Sequence, residues 1–238
     1  MTEFSKGKKA ISCKWVFTKK QGSLNGDIVR YKTRLIVKGY AQRKDINYNE
    51  VFSPIVKHSS IRILLALIAQ YELDLDQLDV KTVFLHGDLD EEIYMSQPMG
   101  FKTACKKNIV CKLNKSLYGL KQSPRQWYKC FDSFIRGKKN THSHYDPCVY
   151  YNKLLGGAYI YLSLYVDDML ITFKNRSAID KLKEDLSFEF EMKDLVEIKK
   201  VLGMEIERDR RSDKVCLTQM GILKIYCRSL TSMATQSL

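Results

Sequence analysis

Nowhere do the 238 residues hold an uninterrupted apolar run long enough to cross a bilayer. The longest stretches are 63–69 and a run from Ala158 to Phe173 that two aspartates interrupt. The first twenty residues carry Lys6, Lys8, Lys9, Lys14, Lys19 and Lys20 around no hydrophobic segment, so a secretory leader is not expected there. Proline is scarce, at four residues, and no Pro/Gly/Ser-rich linker, internal repeat or low-complexity tract is present. The seven cysteines are an odd number, widely scattered, with no C-x-x-C pair; this argues against a disulfide framework and against a zinc ribbon. His142, His144, Asp146 and Cys148 can be drawn as a metal cluster, but they lack regular ligand spacing. A polar loop leading into a strand at Cys148–Tyr151 is the favoured reading. These absences leave a globular chain with no membrane partner, expected inside the cell, with 45% hydrophobic residues and enough length for one large or two small domains.

What is present begins with charge. The formal net charge is +13, and it is segregated. Residues 1–60 hold 13 Lys/Arg against 4 acidic residues, and 102–139 hold 11 against Asp132 alone. Between them, 71–92 hold 8 acidic residues against Lys81. Two basic segments around an acidic one suit a chain that grips a polyanion while holding cations at a centre. A merely soluble basic surface explains the total but not the segregation.

The run 158–173 is rich in Tyr, Ile, Val and Leu, and its halves are of strand length. Tyr165-Val166-Asp167-Asp168 falls between them, which predicts a hairpin tipped with two carboxylates. Adjacent carboxylates repel, and a cation between them is the usual remedy; an ordinary exposed Asp-Asp turn is the alternative. Elsewhere, 14–19 and 28–38 read as a basic hairpin across turn chemistry at 21–26. Ser59-Ser60 are placed to cap a helix over 61–71, apolar on most faces. A strand is predicted around Asp79 over 75–85, and a helix after Pro124 with Trp127, Cys130, Phe131 and Phe134 on one side. Another amphipathic helix covers 179–188, and short strands fill 189–207. Mixed elements with hairpins indicate an α+β fold with an antiparallel sheet.

Several blocks in order resemble the reverse transcriptase of copia-type LTR retrotransposons. They are Lys14-Trp-Val-Phe17, the stretch Tyr31 to Tyr40, Asp79-Val-Lys-Thr-Val-Phe-Leu-His-Gly87, Glu92-Ile-Tyr-Met95 with Gln97-Pro98, Ser116 to Trp127, Tyr165-Val-Asp-Asp168, and Leu202-Gly-Met-Glu-Ile206. The resemblance spans about residues 10–218. It implies a right-hand polymerase in which fingers and palm occupy 1–218 and a truncated or divergent thumb begins at 219–238. It also implies an RNA-directed DNA polymerase acting on an RNA or DNA template with primer and dNTP. Other regions of a Pol polyprotein would be partners, and a cytoplasmic virus-like particle or the nucleus the setting.

Carried over by position, Asp79, Asp167 and Asp168 would be the catalytic carboxylates. With the Val80 carbonyl they would hold two Mg²⁺ (Mn²⁺ being the other candidate), hard cations suited to oxygen ligands. Phe84 resembles a steric gate against a ribose 2′-hydroxyl; a core Phe in strand alternation fits the pattern equally. Lys32 and Arg34 resemble triphosphate contacts, or are a solvated hairpin face. Tyr118, Gly119, Gln122 and Ser123 fall in the nucleotide- and template-positioning loop, and Leu202-Gly203 in a primer grip. The chain departs from the family at Asp45, Val83, Val196, Val201 and Met220. Two other outcomes are carried forward: a non-catalytic remnant that binds nucleic acid, and a metal nuclease or integrase built on Asp79, Asp167 and Glu205.

Overall fold

Strand, turn and helix chemistry set the local structure, and burial decides which faces pack. The structure is a computed structural model that describes residues 1–3, 9–20, 30–102, 109–174, 176–195, 200–209, 211–212, 214–221, 223 and 226–227. The turn expected at 21–26, Cys105, Val196 and most of the expected thumb lie outside the described residues.

In chain order, β1 (Thr2–Glu3) precedes β2 (Cys13–Lys20) and β3 (Arg30–Val37). Helix α1 (His58–Tyr71) leads into β4 (Asp74–Val80), and β5 (Tyr94–Ser96) and β6 (Ile109–Lys112) lead into α2 (Ser123–Gly137). Then come β7 (Thr141–His142), β8 (Val149–Lys153), β9 (Tyr159–Tyr165) and β10 (Asp168–Phe173). Helix α3 (Arg176–Glu189), β11 (Met192–Asp194), β12 (Lys200–Val201), β13 (Met204–Asp209) and β14 (Lys214–Thr218) follow. The chain divides into two units, 1–54 with 82–138 and 55–81 with 139–238. The mixed composition with antiparallel sheets agrees with the expected α+β class.

The first unit holds the antiparallel hairpin β2–β3 and a three-stranded sheet in the order β1-β6-β5. The hairpin register pairs Trp15 with Leu35 and Val16 with Arg34. Ile11, Val37, Ile93, Met95 and Leu120 form a buried cluster beneath it. In α2, Pro124 occupies the first turn, where its missing N–H costs nothing. Trp127, Phe131 and Ile135 are buried at i, i+4 spacing, while Cys130 and Phe134 lie half-buried at the margin of that stripe. Burying each such side chain contributes about 2 kcal/mol, which outweighs the few tenths that aromatic residues lose in helix propensity.

The second unit is organised by a six-stranded antiparallel sheet in the order β11-β4-β10-β9-β8-β7. A smaller sheet, β12-β13-β14, completes it, and β14 packs on α1. Helix α1 starts at His58, three residues before the expectation, and no side chain within the helix caps it. Its N-terminus is held from a distant loop. Asp146 Oδ2 accepts from Lys57 N at 2.8 Å and from Ser60 Oγ at 2.6 Å, while Oδ1 accepts from Cys148 N at 3.0 Å. The supposed cluster at 142–148 is thus a polar loop with its carboxylate fully engaged. Nor is α1 buried on most faces: Ile61, Leu64, Leu65 and Ile68 make one buried stripe, and Ile63 is 61% exposed. Among the described residues no helix is long and apolar enough to cross a membrane.

Candidate active site

Asp79 lies near the end of β4, and β10 runs antiparallel beside it with Asp168 directly opposite Asp79. On its other side Asp168 faces Tyr165 across the β9–β10 hairpin, leaving Val166 and Asp167 as a two-residue tip. The 88-position separation of Asp79 and Asp167 is closed by this pairing, and the tip is fastened where Val80 N donates to Asp167 O at 2.9 Å. Val166 has φ of 55°. The first residue of a two-residue hairpin commonly takes positive φ, but as glycine; a β-branched residue there stores strain. Thr82, just beyond Lys81 on the Asp79 side, is also left-handed, at φ 51°. The backbone is therefore strained on both approaches to the carboxylates.

Their environments differ. Asp167 is exposed, whereas Asp168 is half-buried. Burial pushes the Asp168 carboxyl above its ordinary range; Gln77 partly offsets this, and the charges of Asp167 and Asp79 push it further up. Gln77 Nε2 donates to Asp168 Oδ1 at 2.9 Å. Gln77 precedes Asp79 by two residues, so both lie on one face of β4. Sequence reading missed Gln77, although a polar residue alternating with Asp79 in a buried strand was the available signal. Among the described residues no three His, Cys, Asp or Glu side chains are grouped as a preformed cage for a metal. What exists is three neighbouring oxygen donors whose mutual repulsion a hard divalent cation would relieve, with Asp168 held by an amide. Carboxylate oxygens are the donor type such an ion takes.

The residues expected to meet a nucleotide lie in the first unit. Phe84 is not on a strand: β4 ends at Val80, and Val83–His86 form a short 3₁₀ turn. There its ring meets Tyr118 edge-on, with centroids 5.0 Å apart at 67°. The Arg34 guanidinium carbon lies 5.7 Å from the centre of the same Tyr118 ring. Arg34, Phe84 and Tyr118 therefore form one cluster, while Lys32 lies on the exposed end of β3. Val37 N donates to Tyr118 O at 2.8 Å, which docks the 116–122 loop on β3. Gly119 permits this contact. At φ 93°, a Cβ there would fall 2.0 Å from Val37 O.

Gln122 and Ser123 are buried, and their polar atoms bond inside the unit. Gln122 Oε1 accepts from Gln42 at 2.9 Å, and its Nε2 donates to Asn47 O at 2.9 Å and to Glu91 at 3.3 Å. Gln42 in turn accepts from Lys121 N at 2.8 Å, and Ser123 Oγ donates to Leu117 O at 2.8 Å. Gln42 and Glu91 carry no local signal, because their partners stand 80 and 31 residues away. In the second unit, Leu202 and Gly203 form the tip joining β12 to β13, both at positive φ (49° and 77°). Val201 beside them is buried. Asp45, in the first unit, has φ 61°, a conformation aspartate tolerates better than most residues. Glu205 lies on β13, where Lys200 Nζ approaches it at 3.2 Å; β13 belongs to a different sheet from Asp79 and Asp168.

Comparison with known proteins decides the family. The model described as "Reverse transcriptase (RNA-dependent DNA polymerase)" matches residues 1–233. The chain belongs to the reverse transcriptase family. It is 55% identical over 220 residues, 92% of its length, to the retrovirus-related Pol polyprotein from transposon TNT 1-94 of Nicotiana tabacum. It is 41% identical over 198 residues, 83% of its length, to the corresponding polyprotein from transposon RE1 of Arabidopsis thaliana. These relatives bear out the resemblance to copia-type retrotransposon Pol polyproteins. The chain spans 16% and 13% of their respective lengths. It also has a likeness to apo telomerase from Candida tropicalis, covering 87% of this chain and 55% of that one. At 7% identity and a TM-score of 0.35, that likeness carries no argument.

Proposed function

We propose that this reverse transcriptase domain adds dNTPs to a primer 3′-hydroxyl on an RNA or DNA template, with fingers in the first unit and a palm built on the six-stranded sheet. The observation that carries the proposal is Asp168 facing Asp79 beside Asp167, its carboxyl pushed up by burial and by both neighbouring charges, in a chain of this family. Asp79, Asp167 and Asp168, with the Val80 carbonyl, would hold Mg²⁺ or Mn²⁺. When bound, such ions lower the pKa of the attacking hydroxyl and neutralise the triphosphate and leaving pyrophosphate.

The chain's own residues prepare that chemistry. Gln77 fixes the Asp168 carboxylate, and the Val80–Asp167 backbone bond keeps the tip against β4. Arg34 and Lys32 supply charge for the triphosphate, Arg34 with a planar fork suited to phosphate oxygens. Phe84, backed edge-on by Tyr118, acts as the gate against a 2′-hydroxyl. Gly119, Gln122 and Ser123 act through position, holding the Tyr118 loop on β3. The Leu202–Gly203 tip grips the primer.

The test is primer extension on an RNA template with Mg²⁺ or Mn²⁺. Template-directed DNA synthesis that Asp167→Asn lowers by on the order of 10²–10³-fold is expected, the range for removing one electrostatic contributor to a transition state. Incorporation unaffected by Asp167→Asn overturns the proposal. Salt-sensitive binding of primer–template without extension replaces it with a nucleic-acid-binding role.

A further inference from the structure

At the end of β9 remote from the aspartates, the second unit holds a cavity of about 390 Å³. Tyr71 and Leu67 from α1, Leu73, Gly157 and Ala158 from the β8–β9 turn, Tyr159 and Tyr161 from β9, and Lys174 after β10 line it. Along β9 the separation from Tyr159 to Tyr165 is about 20 Å at strand rise. The cavity is therefore distinct from the carboxylate site, and its volume falls in the range of small-molecule sites.

Its chemistry is specific. Tyr159 and Tyr161 alternate onto one face of the strand, and their rings stack 19° from parallel with centroids 5.9 Å apart. Tyr151 of β8 joins them, its ring 6.4 Å from that of Tyr159. Tyr159 and Tyr71 are 37% and 54% exposed, so aromatic surface is displayed to solvent. Burial and the phenols of Tyr159 and Tyr71 push the Tyr161 hydroxyl up, keeping it a neutral donor. Positive charge stands at the rim. Lys153 Nζ lies 5.9 Å from the Tyr159 ring centre, and Lys174 has no carboxylate partner among the described residues. The lip is small: a Cβ on Gly157 would meet nothing within 4 Å.

Flat rings, a neutral phenol and two rim cations fit a planar, neutral heteroaromatic ring joined to an anionic group. We propose that this tyrosine pocket binds a nucleobase together with its phosphate, the base on the Tyr159–Tyr161 wall and the phosphate at Lys174. A free nucleotide and a base of a single strand present the same chemistry.

The test uses the full chain in EDTA, which removes any cation-dependent binding at the aspartates. Calorimetric titration with 5′-AMP, adenosine and a twelve-residue oligothymidylate separates the sources, and photocrosslinking with 8-azido-AMP locates the site. Crosslinks at Tyr71, Tyr159 or Tyr161 are expected. Tyr159→Leu is expected to weaken binding by roughly tenfold, the effect of losing one stacking ring. Lys174→Gln, at an exposed position, is expected to weaken 5′-AMP two- to fivefold, as for roughly one exposed ion pair, and to leave adenosine unchanged. AMP binding assigns the pocket to free nucleotides; binding of the oligonucleotide alone assigns it to a single strand. Both support the proposal provided Tyr159→Leu weakens that binding, and absence of binding by 5′-AMP and by the oligonucleotide overturns it. Binding indifferent to both variants, or crosslinks confined to other residues, overturns it. Because no primer is extended, failure here is separate from failure of the polymerase reading.

Discussion

Replacing Lys183 by methionine tests whether the sheet is held by a buried ion cluster. Lys183 reaches from α3 to Asp76 of β4 and, at 2.8 Å, to Asp194 of β11. Asp76 is 3% exposed, in the strand that carries Asp79. Burial alone would lower the Lys183 pKa, but hydrogen bonds to Asp194 and Asp76 outweigh it and hold the ammonium charged. Methionine keeps most of the stem packing and removes the charge. Breaking one side of a buried pair costs about 3–5 kcal/mol, because the other charge is left uncompensated. Arg176, 3.5 Å from Asp76, supplies partial compensation, and half-exposed Asp194 can turn to water. The expected cost is therefore at the low end, about 3 kcal/mol. The double variant Lys183→Met/Asp76→Leu removes the orphan and is expected to lie within about 1 kcal/mol of wild type. Both tryptophans, Trp15 and Trp127, belong to the first unit, so urea unfolding is followed by far-UV circular dichroism. A single-variant cost below about 1 kcal/mol, or a double variant as unstable as the single, would refute the reasoning.

Four further outcomes follow from local geometry. Gly119→Ala places a methyl 2.0 Å from Val37 O at positive φ; a loss of about 3 kcal/mol is expected, read from tryptophan fluorescence on unfolding. Val166→Gly relieves the left-handed tip and is expected to stabilise by about 1 kcal/mol, seen as a raised melting temperature; a fall would remove strain from the account. Asp168 has a folded-state pKa above its unfolded value, so its contribution to stability is lost as pH rises from the ordinary aspartate range through the raised one. Asp168→Asn is accordingly expected to stabilise the metal-free chain at neutral pH and to lose that advantage in acid, while Gln77→Leu raises the Asp168 pKa further by carbon-detected NMR titration.

Much of this was legible in one dimension, where the signal was local. The β9–β10 hairpin, the basic β2–β3 hairpin and α2 follow from alternation, turn residues and Pro124. The grouping of Asp79 with Asp167 and Asp168 rested on the ordered motifs; the ladder sets Asp168 opposite Asp79. Long-range polar partners were not legible. Asp146 displaces Ser59 and Ser60 as the group that holds α1, and Gln42, Gln77 and Glu91 bond to residues far away in sequence. Phe84 was ambiguous because the apolar Val83-Phe84-Leu85 follows β4 after only Lys81 and Thr82; the strand stops at Val80, left-handed Thr82 opens the 3₁₀ turn, and no periodicity announces it.

Asp79, Asp167 and Asp168 are proposed to act as one carboxylate unit for nucleotide addition. Single-nucleotide incorporation on an RNA template, measured for wild type, Asp79→Asn, Asp167→Asn, Asp168→Asn and Glu205→Gln, tests it most directly. If the three act as one unit, each aspartate variant loses on the order of 10²–10³-fold while Glu205→Gln keeps the wild-type rate. An aspartate variant that retains full incorporation, or a Glu205→Gln loss as large as theirs, would contradict it.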